Sequence, residues 1–263
     1  MIDAFDDLAT AKPPFKVIAV VPVLGRLPLL EHTIRRLYDK NDCYHVICVG
    51  HGSKERELCE SLEAEWVHHE NQPLGAKWNK GFTAAKRFNP DACLYVGSSD
   101  WLCNQWITIM KPHLDLHQMV GVPGMHLLDF GKTMRAVRWD GYTGSRADES
   151  IGIGRMLSGK LLDKLDWRPF SDVIDNSLDR SMKDRSRALG HADVMIYDKR
   201  LIACSLSTDQ WLNKHKFEAH WPGDDKDFGG AMPSHKVNVQ ELTKLFPEAN
   251  ELCESLKAMS VSR

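Results

Sequence analysis

The sequence predicts an α/β protein built on a doubly wound, mainly parallel sheet with helices on both faces and a smaller hairpin and helical part. Four short β-branched or apolar runs, at 15–21, 44–49, 65–68 and 92–96, alternate with helical patterns through the first 118 residues. That alternation is the rhythm of a parallel sheet with crossover helices. From residue 119 the rhythm changes to closely spaced strands and then helices. The chain has 263 residues, 43% of them hydrophobic and 27% charged, which suits one large domain with ample core material. No linker, internal repeat or biased tract divides it. We therefore expect an acidic, Pro-punctuated tail at 1–15 and a single domain at 16–263.

The first strand, Phe15 to Val21, is stopped by Pro22. After Pro28, residues Leu29, Leu30, Ile34 and Leu37 share one helical face. Tyr44 to Val49 is the second strand, closed by Gly50-His51-Gly52, and Ser53 is placed to cap the next helix. Glu65 to His68 is a short third strand that ends in His68-His69. Gly75 to Phe88 reads as helix and Ala92 to Val96 as the fourth strand. Beyond that, 119–122 and 125–130 read as strands. Phe130-Gly131-Lys132 turns the chain back through 133–139 as a hairpin. Residues 141–154, rich in Gly, Ser and charge, read as loop; 157–165 and 174–189 read as helices. Short strands near Val194 and Leu201, a loop containing His215, His220 and Trp221, and a helical 237–259 complete the chain.

The formal net charge of −2 gives no global case for nucleic-acid or anionic-membrane binding. Seven cysteines, an odd number with no Cys-x-x-Cys pair, read as reduced structural thiols and point to a cytoplasmic location. No stretch approaches the roughly 18 apolar residues of a membrane span. No signal-peptide pattern is expected at the N-terminus.

Four polar loops carry the chemistry, each at the end of a strand: Pro22-Val23-Leu24-Gly25-Arg26, Gly50-His51-Gly52-Ser53, Asn71 through Lys77 and Asn79, and Gly97-Ser98-Ser99-Asp100. In parallel sheets ligands bind beyond the carboxyl ends of the strands. Asp100 stands where a diphosphate-bound Mg²⁺ or Mn²⁺ needs a hard oxygen ligand; the plain alternative is a cap on the helix containing Trp106. Gly75 is expected to open a helix whose amides face a phosphate, with Lys77 and Asn79 close by.

This succession of loops resembles the family 2 glycosyltransferases of the GT-A superfamily, from about Lys16 to Trp106 and more loosely to Arg187. It is similar in particular to free-standing soluble forms from bacteria and their phages. The resemblance implies a nucleotide diphosphate-sugar donor, bound in the half 16–118, with the acceptor side in 119–263. It implies that Pro22, Val23, Gly25, Arg26, Gly50, His51 and Gly52 hold the nucleoside, that Asn71, Lys77, Asn79, Ser98 and Ser99 line the donor site, and that Asp100 ligates the metal. Two departures stand out. Gly50 and His51 replace an Asp pair that contacts the base, and Ser98 replaces the first Asp of the Asp-x-Asp metal motif.

An inverting transfer needs a carboxylate to take the acceptor's proton. Asp175 matches the start of the family's acceptor-side helix and Asp179, one helical turn on, is the alternative; the plain reading of both is a helix N-terminus favouring acidic residues. His215 and His220 are further candidate metal ligands by resemblance. Trp101, Trp106, Trp139, Trp167, Trp211 and Trp221 include a candidate sugar platform, set against ordinary packing. The acceptor is left open between a saccharide, a lipid-linked glycan, a protein, and a hydroxymethylated pyrimidine in DNA. The DNA option calls for a basic groove, for which Arg135, Arg138, Arg146, Arg155, Lys183, Arg185 and Arg187 are the candidates. Other functions consistent with the pattern are a nucleotidyltransferase, for which Arg26 alone would have to serve the first loop, and a catalytically inactive nucleotide-sugar-binding module.

Overall fold

The structure, a computed structural model, describes residues 14–130, 134–207 and 234–261. Its first half follows the predicted alternation. Strands β1 (Val17–Pro22), β2 (His45–Gly50), β3 (Glu65–His68) and β4 (Ala92–Tyr95) alternate with helices α1 (Leu27–Asp39), α2 (Ser53–Ser61) and α3 (Leu74–Ala85). The four strands are parallel in the order β4-β1-β2-β3. Ser53 does not cap α2. It is the helix's first residue, Gly52 holds the cap position, and no side-chain cap bond forms.

Strand β5 (Asp100–Leu102), α4 (Trp106–Leu116), β6 (Met119–Val122), β7 (Met125–Phe130), β8 (Met134–Trp139) and β9 (Ile151–Ser158) follow. The chain continues through α5 (Gly159–Lys164), α6 (Leu178–Ala188), β10 (Val194–Met195), β11 (Ala203–Ser207), β12 (Ser234–Lys236), α7 (Val239–Leu245) and α8 (Glu248–Val261). Strand β9 corrects two expectations at once. It occupies part of the predicted loop and the first residues of the predicted helix at 157–165. It also inserts antiparallel between β4 and β6, so the larger sheet runs β10-β6-β9-β4-β1-β2-β3.

The glycines that suggested a loop serve close approach instead. A Cβ at Gly152 would collide with Tyr95 and Asp179, and one at Gly154 (φ +73°) with the Trp106 ring. All eight residues of β9 are buried, so no polar alternation marks it as a strand.

Both faces of the large sheet are covered. Val17, Ala19 and Val21 pack with Leu30 and Ile34 of α1, Cys59 of α2 and Trp106 and Met110 of α4. Ile18 and Val20 pack on the opposite face with Trp78 and Phe82 of α3, Leu161 and Leu162 of α5 and Met182 of α6. This is the two-sided burial that a parallel sheet requires. Helix α3 lies close on β1 and β2 because residue 81 is glycine: a Cβ there would strike Val20 and come within 2.8 Å of Val49. All seven cysteines are free thiols, and all are buried.

The predicted hairpin is present as the antiparallel pair β7–β8, from Met125↔Trp139 to Phe130↔Met134. It belongs to a second sheet, in the order β12-β8-β7-β11-β5. Leu128, Ala136 and Leu206 of that sheet pack against Leu242 and Phe246 and against Ala249 and Leu252. Among the described residues, no helix is long and apolar enough to cross a membrane.

Candidate functional site

At the carboxyl ends of β1 and β4 lies a cleft of about 310 Å³. Its lining gathers Pro22, Arg26, Asn71, Lys77, Ser98, Ser99 and Asp100 from the anticipated set. It also contains Leu24, Leu74, Trp78, Tyr95, Gly97, Leu178 and Ser205. A strand edge turned into loops by Pro22 and Gly97 thus brings together residues up to 183 positions apart, from Pro22 to Ser205.

The loop after β4 is a tight turn. The Asp100 amide donates to the Gly97 carbonyl (3.0 Å) and the Gly97 amide donates to Asp100 Oδ2 (2.9 Å). Asp100 therefore closes its own loop and opens β5. Helix α4 starts six residues later behind Gln105, which replaces Asp100 as the cap residue. Ser98 and Ser99 are almost fully buried, and their hydroxyls accept from the two terminal nitrogens of Arg26 at 3.1 and 3.0 Å. Arg26 itself is half-buried at the αL cap position of α1 (φ 58°). Burial lowers its pKa, against the raising effect of Asp100.

Lys77 is 1% exposed although it borders the cleft. Its ammonium donates to the Val23 carbonyl (2.6 Å) and to Asn71 Oδ1 (3.1 Å), tying α3 to the loop after β1. Burial, followed by the nearby Arg26 charge, holds its pKa down to about 8, with Glu55 opposing. Glu55, which the sequence reading passed over, also accepts from the Gly25 amide (3.0 Å) and so joins the first and second loops. Its position in the first turn of α2 was the available signal.

Several anticipated residues play other parts. Gly75 does not offer its amide to a phosphate: that amide donates to the Ile174 carbonyl (2.8 Å), and the Leu74 amide donates to Asp175 Oδ1 (2.8 Å). A glycine is needed there because a Cβ would run into the Ser171 carbonyl. Asn79, 3% exposed, exchanges bonds with the Phe170 backbone (2.9 and 3.0 Å) and donates to Asp172 (2.8 Å), so it fastens α3 to the 170–172 segment. Val23 is buried, Gly50 packs under Trp66, and His51, Gly52 and Gly25 lie outside the cleft lining.

Asp175 and Asp179 do not share a helical face. Helix α6 starts at Leu178, so Asp175 precedes it. Asp179 Oδ2 accepts from the Tyr142 hydroxyl (2.9 Å) and the Gly152 amide (3.0 Å), and its Oδ1 lies 3.8 Å from buried Arg155. Asp175 is exposed, and one oxygen is anchored by Leu74. His215, His220, Trp211 and Trp221 lie outside the described residues. Trp101, Trp106, Trp139 and Trp167 are at most 4% exposed and serve packing. Trp78 borders the cleft instead, stacked on Tyr95 with ring centroids 4.0 Å apart. Ser205 had no local signal; it reaches the cleft because β11 pairs it opposite Asp100.

Among the described residues, no group of three or more His, Cys, Asp or Glu side chains forms a metal cluster. Asp100 is the one carboxylate among the described residues of the cleft lining. A lone carboxylate fits a hard cation whose other positions are filled by phosphate oxygens and water.

No family model and no curated protein matches the chain. Among solved structures it is similar to the mannosyltransferase PcManGT from Pyrobaculum calidifontis, solved in complex with GDP-Man and Mn²⁺. The TM-score is 0.52 at 12% identity over 78% of this chain. The chain shares the fold of that mannosyltransferase. Residues 1–349 of S. aureus TarS match at a TM-score of 0.49 with 16% identity over 73% of this chain. The match spans 60% of the length of each of those proteins.

Proposed function

We propose that this protein transfers a sugar from a nucleotide diphosphate-sugar to an acceptor hydroxyl. The observation that carries the reading is the cleft at the carboxyl edge of the parallel strands, where Asn71, Lys77, Ser98, Ser99 and Asp100 converge on a glycosyltransferase fold. Asp100 is the residue to hold Mn²⁺ or Mg²⁺, and that ion would supply charge neutralisation at the diphosphate leaving group. PcManGT, with the same fold, was solved with GDP-Man and Mn²⁺.

Asp175 suits the base of an inverting transfer. One carboxylate oxygen is fixed by the Leu74 amide, and Leu74 borders the cleft. Asp179, by contrast, already accepts two hydrogen bonds and faces Arg155. A saccharide hydroxyl is the favoured acceptor over a base in DNA. Arg135, Arg138, Arg146, Arg155, Lys183 and Arg187 each face a carboxylate within 4 Å, which compensates the charge a DNA groove needs.

The test is a thermal-shift and hydrolysis screen of UDP-, GDP-, ADP-, CDP- and dTDP-sugars with and without Mn²⁺. The expected result is stabilisation by one donor class, about 2.7 kcal/mol at a hundredfold excess over its dissociation constant. Asp100→Ala is expected to abolish the Mn²⁺-dependent part. No shift and no hydrolysis with any donor at millimolar concentration would remove the reading.

A further inference from the structure

Among the described residues, the charges lining the cleft are two cations, Arg26 and Lys77, against one carboxylate, Asp100. Neither cation is neutralised by direct contact with another described residue. Among the described residues, the side-chain hydrogen bonds of Arg26 go to the Ser98 and Ser99 hydroxyls, and those of Lys77 to the Val23 carbonyl and the Asn71 amide oxygen. Among the described residues no ion pair within 4 Å involves either one, and Asp100 and Glu55 act on them only through space. The Arg26 Nε is buried with no hydrogen-bond partner. Two like charges held in a half-dry cleft with neutral hydrogen-bond partners form a site suited to an anion.

The serine at position 98 has a part in this. An aspartate there would sit against the guanidinium and quench it as an ion pair, whereas a hydroxyl orients the guanidinium and leaves its charge available. A guanidinium also presents several N–H donors in a plane that matches two phosphate oxygens at once.

We infer that Arg26, backed by Lys77, is a built-in counter-cation for a diphosphate, so that this cleft binds pyrophosphate-containing ligands without a divalent metal. The inference deepens the glycosyltransferase reading, on which the identity of the diphosphate as a nucleotide-sugar rests. Arg26 then contacts the leaving group rather than the nucleoside. Any metal on Asp100 adds to a charge balance that the protein already supplies in part.

The experiment is isothermal titration of the whole chain with inorganic pyrophosphate and with UDP, GDP, ADP, CDP and dTDP, in EDTA and in Mn²⁺. It compares wild type, Arg26→Gln and Arg26→Lys. The expected result is measurable binding in EDTA that weakens roughly 10- to 100-fold in Arg26→Gln, the range for a lost charged hydrogen bond, with partial recovery in Arg26→Lys. Affinity in EDTA should also fall steeply with added salt. Wild type carries the decision even if a variant folds poorly. Binding of the nucleotides by wild type only in Mn²⁺ overturns the inference and leaves the glycosyltransferase reading intact. Equal affinity of wild type and a folded Arg26→Gln in EDTA overturns it too. Binding of pyrophosphate in EDTA with no nucleotide bound under either condition supports the anion site and sinks the sugar-donor reading.

Discussion

The two sides of β4 are built by different means. On one side, β1, β2 and β3 are parallel neighbours joined by short crossovers, and each strand end delivers a polar loop to the same edge. On the other side, β9 runs antiparallel between β4 and β6, carrying a buried arginine into the sheet. Arg155 donates to the Ser150 hydroxyl (2.8 Å), lies 3.5 Å from the fully buried side chain of Asp193, and approaches Asp179. Asp193 in turn accepts from the Ser150 amide and hydroxyl at 2.9 and 2.7 Å. Among the described residues, the first side thus leaves Arg26 and Lys77 without a carboxylate partner at an open cleft, and the second closes Arg155, Asp179 and Asp193 into an internal network. Charge left unpaired marks a place for a ligand; charge fully paired marks a place that holds its shape.

The sharpest break between the two sides is expected from Asp175→Asn and Arg155→Met. Loss of the base should lower turnover roughly 10²- to 10⁴-fold while donor affinity in the titration stays at the wild-type value. Unchanged turnover would move the base to Asp179. Arg155→Met strands the Asp193 carboxylate in the core and should cost about 3–5 kcal/mol. In a protein of this size that lowers the melting midpoint by roughly 10 °C; a midpoint within a degree or two of wild type would show the network to be dispensable.

Asn79→Ala tests which side a residue belongs to. It leaves both Phe170 backbone groups without partners and should cost about 1–3 kcal/mol, with donor affinity unchanged in the folded fraction. A selective loss of donor affinity would return Asn79 to the ligand site.

The smallest effect is a pH dependence. Lys77 has its pKa lowered from 10.5 to about 8, so its ammonium is charged below that value and is lost above it. Diphosphate affinity should therefore decline by a few-fold as pH rises through about 8, while Arg26 stays charged and Glu55 opposes the deprotonation. The stability term has the opposite sign: the unfolded chain binds the extra proton between about 8 and 10.5, so this group's destabilising effect fades as pH rises across that window. A Lys77→Met variant with the same affinity profile would show that the amine is not what titrates.

Legibility divides along the same line. Loops of the first half were readable because each follows its own strand within a few residues, as with Gly97 through Asp100 after β4. Roles inside that half were less readable. Gly75 and Asn79 have the residue types of a phosphate site, yet the 170–175 segment takes up the Gly75 amide and the Asn79 side chain, and no local pattern announces that contact. Strand β9 was hidden because Gly152 and Gly154 imitate a turn while serving the close approach of Tyr95 and Trp106. Ser205 became a cleft residue only through its register with Asp100.

The sequence by itself determined the parallel α/β core and the edge on which the cleft lies, because apolar periodicity and strand-end loops are local properties of the chain. Only the tertiary structure decided which charges are spent. Ion pairs and hydrogen bonds that join residues far apart in the chain, such as Asp179–Arg155 and Leu74–Asp175, do this. Whether a given Arg, Lys or Asp remains available to a ligand depends on those distant partners and on how much water the packing leaves around it.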